Sequence, residues 1–264
     1  MGESVGEAVL AGKVAIVTGG SRGVGAATVL ALARAGADVA VNYRNKGRRA
    51  EDIASQARRH GVRAIAIQAD ITDSTANQAM IDQVISELGR IDILVLNASG
   101  GMEKDLVVAD PAYPMKVNRD APYDLATRAL PRMRAGGAIV HVTSHLAHFY
   151  GQVKQPPAYE PVAQSKHAGE IALRSLERPM SDRGVRLAIV SGDLIEDTIV
   201  PRLMDRATPG LIEMRRSEVG TLPTTADMAH AILDAIAQPV TQSPHVVFIG
   251  STELTPLKAN ATRR

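Results

Sequence analysis

The stretch "VAIVTGGSRGVGAATVLALA" sets Gly19, Gly23 and Gly25 between an apolar run and a helical pattern. Glycines at such a junction let the backbone turn sharply and come close to a pyrophosphate. The helix start that follows offers amide donors and a favourable dipole to an anion. The chemistry expected at this position is therefore dinucleotide binding. In an NAD site an acid about twenty residues further on takes the ribose hydroxyls. Here the second apolar run ends "VAVNYRNKGRR", with Arg44, Lys46, Arg48 and Arg49 and no acid, and Arg22 lies inside the loop itself. Cations hold a 2′-phosphate by charge-assisted hydrogen bonds, so NADP(H) is predicted over NAD(H). The competing account of these charges is a solvated, basic helix start. Gly19 to Gly23 also satisfies G-x-S-x-G, a hydrolase nucleophile elbow, with His230 and His245 downstream. Hydrolases place that elbow after several strands, whereas this loop follows the first.

A loop of this kind needs a rigid sheet behind it. Apolar runs at Val14–Thr18, Val39–Asn42, Ala64–Gln68, Ile91–Asn97, Ala138–Thr143, Arg186–Ser191 and His245–Ile249 read as buried strands. Helical patterns separate them, and glycines in "RAGADVAV", "RHGVRAI" and "ELGRIDI" mark the helix ends. Alternation of this kind predicts an α/β fold: a doubly wound parallel sheet of about seven strands with helices on both faces. A single domain is expected over 1–264. The Pro-bearing stretches 111–114, 155–161 and 199–223 read as loops above the sheet, and the tail "TPLKANATRR" is expected to fray.

Composition narrows the function classes. Hydrophobic residues make up 45% of the 264 residues, and aromatics only 3% with no Trp, so stacking platforms for single-stranded nucleic acid are not expected. The net charge of +2 is spread along the chain, which argues against a nucleic-acid surface. Absence of cysteine excludes disulfides, thiolate nucleophiles and Cys-bound metals. The first eleven residues lack the pattern of a signal peptide, and no apolar segment is long enough to span a bilayer, so a cytoplasmic location is expected.

Over most of its length the chain resembles the short-chain dehydrogenase/reductase family. "TGGSRGVG" is similar to the family's cofactor loop, "QADITD" to its adenine-contacting segment, and "LVLNASGG" to its Asn-Asn-Ala-Gly stretch with Leu96 in place of the first Asn. "MKVNRDAPYDLATRALPRM", "GGAIVHVTSHLA" and "QSKHAGEIALRSL" resemble its central helix, its serine-bearing strand end and its lysine helix. The resemblance implies hydride transfer between a nicotinamide and a carbonyl or alcohol carbon of a small molecule. It assigns catalytic roles to Asn118, Ser144 and Lys166. It puts Gly19, Ser21, Arg22, Gly23, Val24 and Gly25 on the cofactor, with Tyr43 and Arg44 at its adenosine end. Asp70 and Ile71, then Asn97, Ala98 and Ser99, and finally Lys166 and Thr198 complete that set. It also implies a homodimer or homotetramer.

The pattern breaks at the tyrosine. Val162 stands four residues before Lys166, where the family's Y-x-x-x-K has its phenol, and the nearest tyrosine is Tyr159. Tyr159, Val162 and Lys166 are spaced to share a helix face, so Tyr159 is the expected substitute acid, against a water, a histidine such as His148, or no proton transfer at all. The loop between Ser144 and this helix is enlarged, and "SGDLIEDT" replaces a Pro-Gly turn. The literal Tyr150–Lys154 match contains Gly151 and runs into Gln-Pro-Pro, so it reads as chance. His145 and His148 are expected to line a substrate pocket. His141, His145 and His148 together are not expected to bind a metal, and Glu160 reads as a helix-start acid. Two other functions remain open on this sequence: a catalytically degenerate NADP(H)-binding sensor or assembly protein, and a non-redox isomerase, dehydratase or cyclase.

Overall fold

The computed structural model describes residues 8–237 and 243–254; the tail expected to fray lies outside them. Four apolar residues without a turn former make β1 (Val14–Val17), and all four are buried, as a strand covered on both faces requires. The chain then alternates through α1 (Gly23–Arg34), β2 (Asp38–Tyr43), α2 (Gly47–Arg58), β3 (Ala64–Gln68), α3 (Ser74–Leu88) and β4 (Ile91–Leu96). The turns are written locally. Asp73 caps α3 by accepting from the amides of Thr75 and Ala76, and Gly89 ends it at φ +88°.

Two short helices, α4 (Lys104–Ala109) and α5 (Tyr113–Met115), lead through a π-helical turn at Lys116–Asp120 into α6 (Ala121–Ala129). β5 (Met133–Ser144) is followed by the single turn α7 (His145–His148), then α8 (Glu160–Arg174), α9 (Glu177–Asp182) and β6 (Arg186–Gly192). After them come α10 (Ile199–Ala207), α11 (Leu211–Val219), α12 (Thr225–Ala237) and β7 (His245–Ile249).

The sheet has seven strands in the order β3-β2-β1-β4-β5-β6-β7. Every pairing is parallel. One core packs α3, α6 and α8 on one face through Val84, Leu125 and Leu173. The other packs α1, α2 and α12 through Leu32, Ala54 and Ile232. The winding direction reverses between β1 and β4, and the crevice beyond their C-terminal ends is where open α/β sheets hold ligands.

Two expectations need correction. β5 starts at Met133 rather than Ala138, because Met133 pairs with Ile91 and the strand then shifts register before Ala138 meets Ile93. The stretch 199–223 is largely helical. Pro201 falls in the first turn of α10, where its missing N–H costs nothing, and Gly210 and Gly220 bound α11 at φ +86° and +81°.

Candidate active site

A cavity of about 710 Å³ opens above this crevice. Its floor is the glycine loop. A Cβ on Gly25 would lie 2.3 Å from the Gly19 carbonyl oxygen and 2.6 Å from Asn97 Nδ2, so only glycine lets α1 pack this closely. Asn97 Nδ2 donates to the Thr18 carbonyl at 2.9 Å, and Thr18 Oγ1 accepts from the amides of Asn97 (2.9 Å) and Ala98 (3.0 Å). α1 starts at Arg22 without a side-chain cap, which leaves its first-turn amides for a ligand. Beside Gly23 the groove is open, with Thr198 Cγ2 at 3.9 Å from a notional Cβ. Sharp loop, free amides and open groove together fit a dinucleotide pyrophosphate.

At the other end of the cavity β5 delivers Ser144. Its Oγ accepts from the Ala147 amide at 3.2 Å, and the Tyr159 hydroxyl lies 3.0 Å away. Tyr159 is the residue before α8, with its amide bonded to the Pro156 carbonyl at 2.8 Å. Pro161 is the second residue of that helix, where a missing amide hydrogen is tolerated. Burial pushes the Tyr159 phenol above its usual pKa, and the Ser144 hydroxyl opposes the shift. Lys166, one turn beyond Val162, is buried, lines the same cavity and is pulled down to about 8 by desolvation. Val162 packs toward Gly101 and Pro114.

The family profile described as short chain dehydrogenase matches residues 13–204. The chain belongs to the short chain dehydrogenase family. Versicolorin reductase of Emericella nidulans is 34% identical over 71% of this chain and 70% of its own. A probable tetrahydroxynaphthalene reductase of Zymoseptoria tritici is 28% identical over 92% and 90%. The crystal structure of a short chain dehydrogenase from Burkholderia cenocepacia in complex with NADP superposes with a TM-score of 0.78 at 32% identity, covering 91% of this chain and 97% of that one.

Within this family's fold, most of the residues singled out in the sequence meet at one cavity. Gly19, Ser21, Arg22, Gly23, Val24 and Gly25 line it, as do Tyr43, Arg44, Asp70 and Ile71. So do Asn97, Ala98, Ser99, Ser144, His145, Tyr159, Lys166 and Thr198. Of the basic run after β2, Arg44 and Lys46 reach the wall while Arg48 and Arg49 are exposed on α2. Ser21 has no hydrogen bond to His230 or His245 among the described residues; His230 is exposed on α12. Lys154 and Glu160 are both exposed.

Asn118 and His148 are placed differently from expectation. Asn118 is buried behind the wall in the π-helical turn. Its Nδ2 donates to the Gly100 carbonyl (2.8 Å) and Ser165 Oγ (2.9 Å), and its Oδ1 accepts from the Gly100 amide (3.3 Å). The side chain thus ties the loop after β4 to α8. Gly169 allows that approach, since a Cβ there would sit 2.1 Å from the Asn118 carbonyl oxygen. His148 turns away from the cavity because Glu170 on α8 holds its Nδ1 at 2.9 Å. His145 does reach the wall, with Nδ1 at 2.9 Å from Ser191 Oγ, and burial lowers it to about 4.

Four further residues at the cavity, Asn42, Asp193, Arg215 and Tyr113, carried no sequence motif. Asn42 accepts from the Gly19 amide at 3.3 Å and donates to the Ala69 carbonyl at 3.1 Å, bracing the glycine loop. Arg215 on α11 is only 7% exposed and Asp193 after β6 only 4%. The guanidinium reaches Asp193 Oδ2 (2.7 Å), Glu218 (3.1 Å) and the carbonyls of Ser251 (2.8 Å) and Glu253 (2.6 Å), tying α11 to the segments that follow β6 and β7. Tyr113 also lines the wall.

His141 is buried on β5 with neither ring nitrogen hydrogen-bonded, and desolvation first, then the nearby Lys166 charge, lowers it to about 4. Between that value and the ordinary ~6.5 the unfolded chain binds more protons than the folded one, so stability falls as pH drops through this window. Urea midpoints measured from pH 7 to 4 should show this slope, and His141→Gln should reduce it, leaving the part that His145 contributes in the same window.

Proposed function

We propose that the protein is an NADPH-dependent reductase of neutral, apolar ketones in which Tyr159 serves as the proton donor. The observation that carries the proposal is the 3.0 Å contact between Tyr159 and Ser144, in the same cavity as the glycine loop. When bound, the cofactor supplies a hydride to the carbonyl carbon. The chain's part is to hold the carbonyl oxygen and protonate it. Ser144 Oγ accepts from the Ala147 amide, and a bound carbonyl oxygen can take its hydrogen in place of the Tyr159 contact, in which either hydroxyl is able to donate. The Tyr159 phenol, raised by burial, stays protonated at neutral pH and can give its proton to the oxygen as negative charge develops. Lys166, still largely cationic at neutral pH, faces the same space and would hold the nicotinamide ribose.

The substrate end of the cavity is built from Met102, Leu146, Val162, Met204, Leu211 and Met214. Arg215 stands in this wall but is paired with Asp193 and Glu218, so among the described residues this end offers no free cation to attract a carboxylate or phosphate. Thioether and branched side chains suit a flat apolar molecule. The tetrahydroxynaphthalene named in one relative shares the flat ring system, though it carries four hydroxyl groups. Mixing the protein with NADPH and a panel of cyclic aromatic ketones, with 2-oxoacids as controls, tests the proposal through loss of NADPH absorbance. Turnover of the acids in preference to the ketones would sink it.

Cofactor choice rests on Arg22, Arg44 and Lys46 at the wall, with Tyr43 where an NAD site has its acid. NADPH is expected to bind at least about tenfold tighter than NADH, or roughly 1.4 kcal/mol, and Arg44→Asp should narrow or reverse the ratio. Fluorescence titration of both nucleotides decides it, and equal binding by the unmodified protein contradicts the assignment.

A further inference from the structure

Tyr113 sits in α5, at the outer edge of the adenosine end of the cavity, with its ring largely buried. Arg44 enters from the opposite wall, immediately after β2. Its Nη1 donates to the Tyr113 hydroxyl oxygen at 2.6 Å, and its guanidinium carbon lies 5.9 Å from the centre of the ring. We propose that Tyr113 is a positioning residue that fixes the Arg44 guanidinium for the 2′-phosphate and thereby sets NADP(H) specificity. This rests on the NADP(H) proposal above and names a second residue on which the preference depends.

The hydrogen bond to Tyr113 is the one that the Arg44 side chain makes among the described residues, and it engages one of five N–H donors. The remaining edge of the planar fork is free for a phosphate. An unrestrained arginine loses its rotamer freedom when it binds, which weakens affinity by roughly two- to tenfold. Tyr113 removes that loss beforehand, because its ring is packed and its hydroxyl is fixed on the wall. Neither nearby carboxylate is bonded to Arg44. Glu103 accepts from the Gly101 amide at 2.7 Å, and Asp70 accepts from the Thr72 amide (3.0 Å) and hydroxyl (2.8 Å). Arg44 therefore makes no salt bridge among the described residues and is held by a neutral partner, which leaves the other edge of its fork for an anion.

The test is calorimetric titration of NADPH, NADH and adenosine 2′,5′-bisphosphate against the full chain. Unmodified protein, Tyr113→Phe, Arg44→Ala and the double variant are compared. Removing one oxygen leaves the ring packing in place. Tyr113→Phe is expected to weaken NADPH and the bisphosphate by about three- to tenfold, to leave NADH within about twofold, and to have no effect once Arg44 is alanine. Three results overturn the proposal: unchanged or tighter NADPH binding in Tyr113→Phe, equal weakening of NADPH and NADH, or the same loss in the Arg44→Ala background. If the unmodified protein does not prefer NADPH, the cofactor assignment fails and this proposal with it. That failure is visible before any substitution is made.

Discussion

Tyr159→Phe is expected to lower ketone turnover by about 10²–10⁴-fold, the usual loss when a general acid is removed, while NADPH binding stays within a factor of about two. The substitution deletes the hydroxyl that meets Ser144 and keeps a ring in the cluster with Leu146, Val162 and Met204, so folding is not at risk. Among the described residues no cation offsets the rise in the Tyr159 phenol; burial and Ser144 are what act on it. A phenol held above its ordinary ~10 is a donor at neutral pH and a poor acceptor. Reduction should therefore run near neutrality, and alcohol oxidation should rise only toward strongly alkaline pH. Lys166 loses its proton as pH passes about 8, so reduction should decline there, and Lys166→Arg, which keeps its charge, should remove the decline. A Tyr159→Phe variant retaining more than about a third of the original kcat would exclude the phenol as the acid.

The second large effect is on stability. Arg215→Met should cost about 3–5 kcal/mol, the expected result of stranding a buried carboxylate without its cation. Asp193 would then lie 4% exposed with no counter-charge, and the carbonyls of Ser251 and Glu253 would lose their donor. Adding Asp193→Asn should recover part of the loss, since the stranded charge disappears. Urea unfolding of the single and double variants measures this, and a single variant within about 1 kcal/mol of the original would show that the pair does not fasten α11.

The sheet was legible in the sequence because its strands are continuous apolar runs, a signal that does not depend on distant partners. The glycine loop was legible for the same local reason, and its position after β1 identified the winding. The early start of β5 is not legible locally, because it rests on pairing of Met133 with Ile91 across two glycines that break the apolar run. The contact between Tyr159 and Ser144 depends on the path of a fifteen-residue separation. Gln155 fixes that path by donating to the Leu146 carbonyl at 2.8 Å, and no spacing rule predicts such a tie. His148 looked like a cavity residue beside His145, but Glu170, on another helix, sets its direction. Arg215 was invisible because its partners at 193, 218, 251 and 253 converge only in the folded chain.

The uncapped start of α1 would couple the stability of the folded chain to the supply of its nucleotide. Amides left for an anion are a local weakness in the empty protein, and a nicotinamide cofactor that binds them stabilises the folded state by mass action. Free ligand at a hundred times its Kd adds about 2.7 kcal/mol, enough to lower the unfolded fraction about a hundredfold. Where proteolysis acts on unfolded chains, loaded molecules outlive empty ones. A fall in the cofactor pool would then reduce the number of enzyme molecules as well as the rate at which each one works.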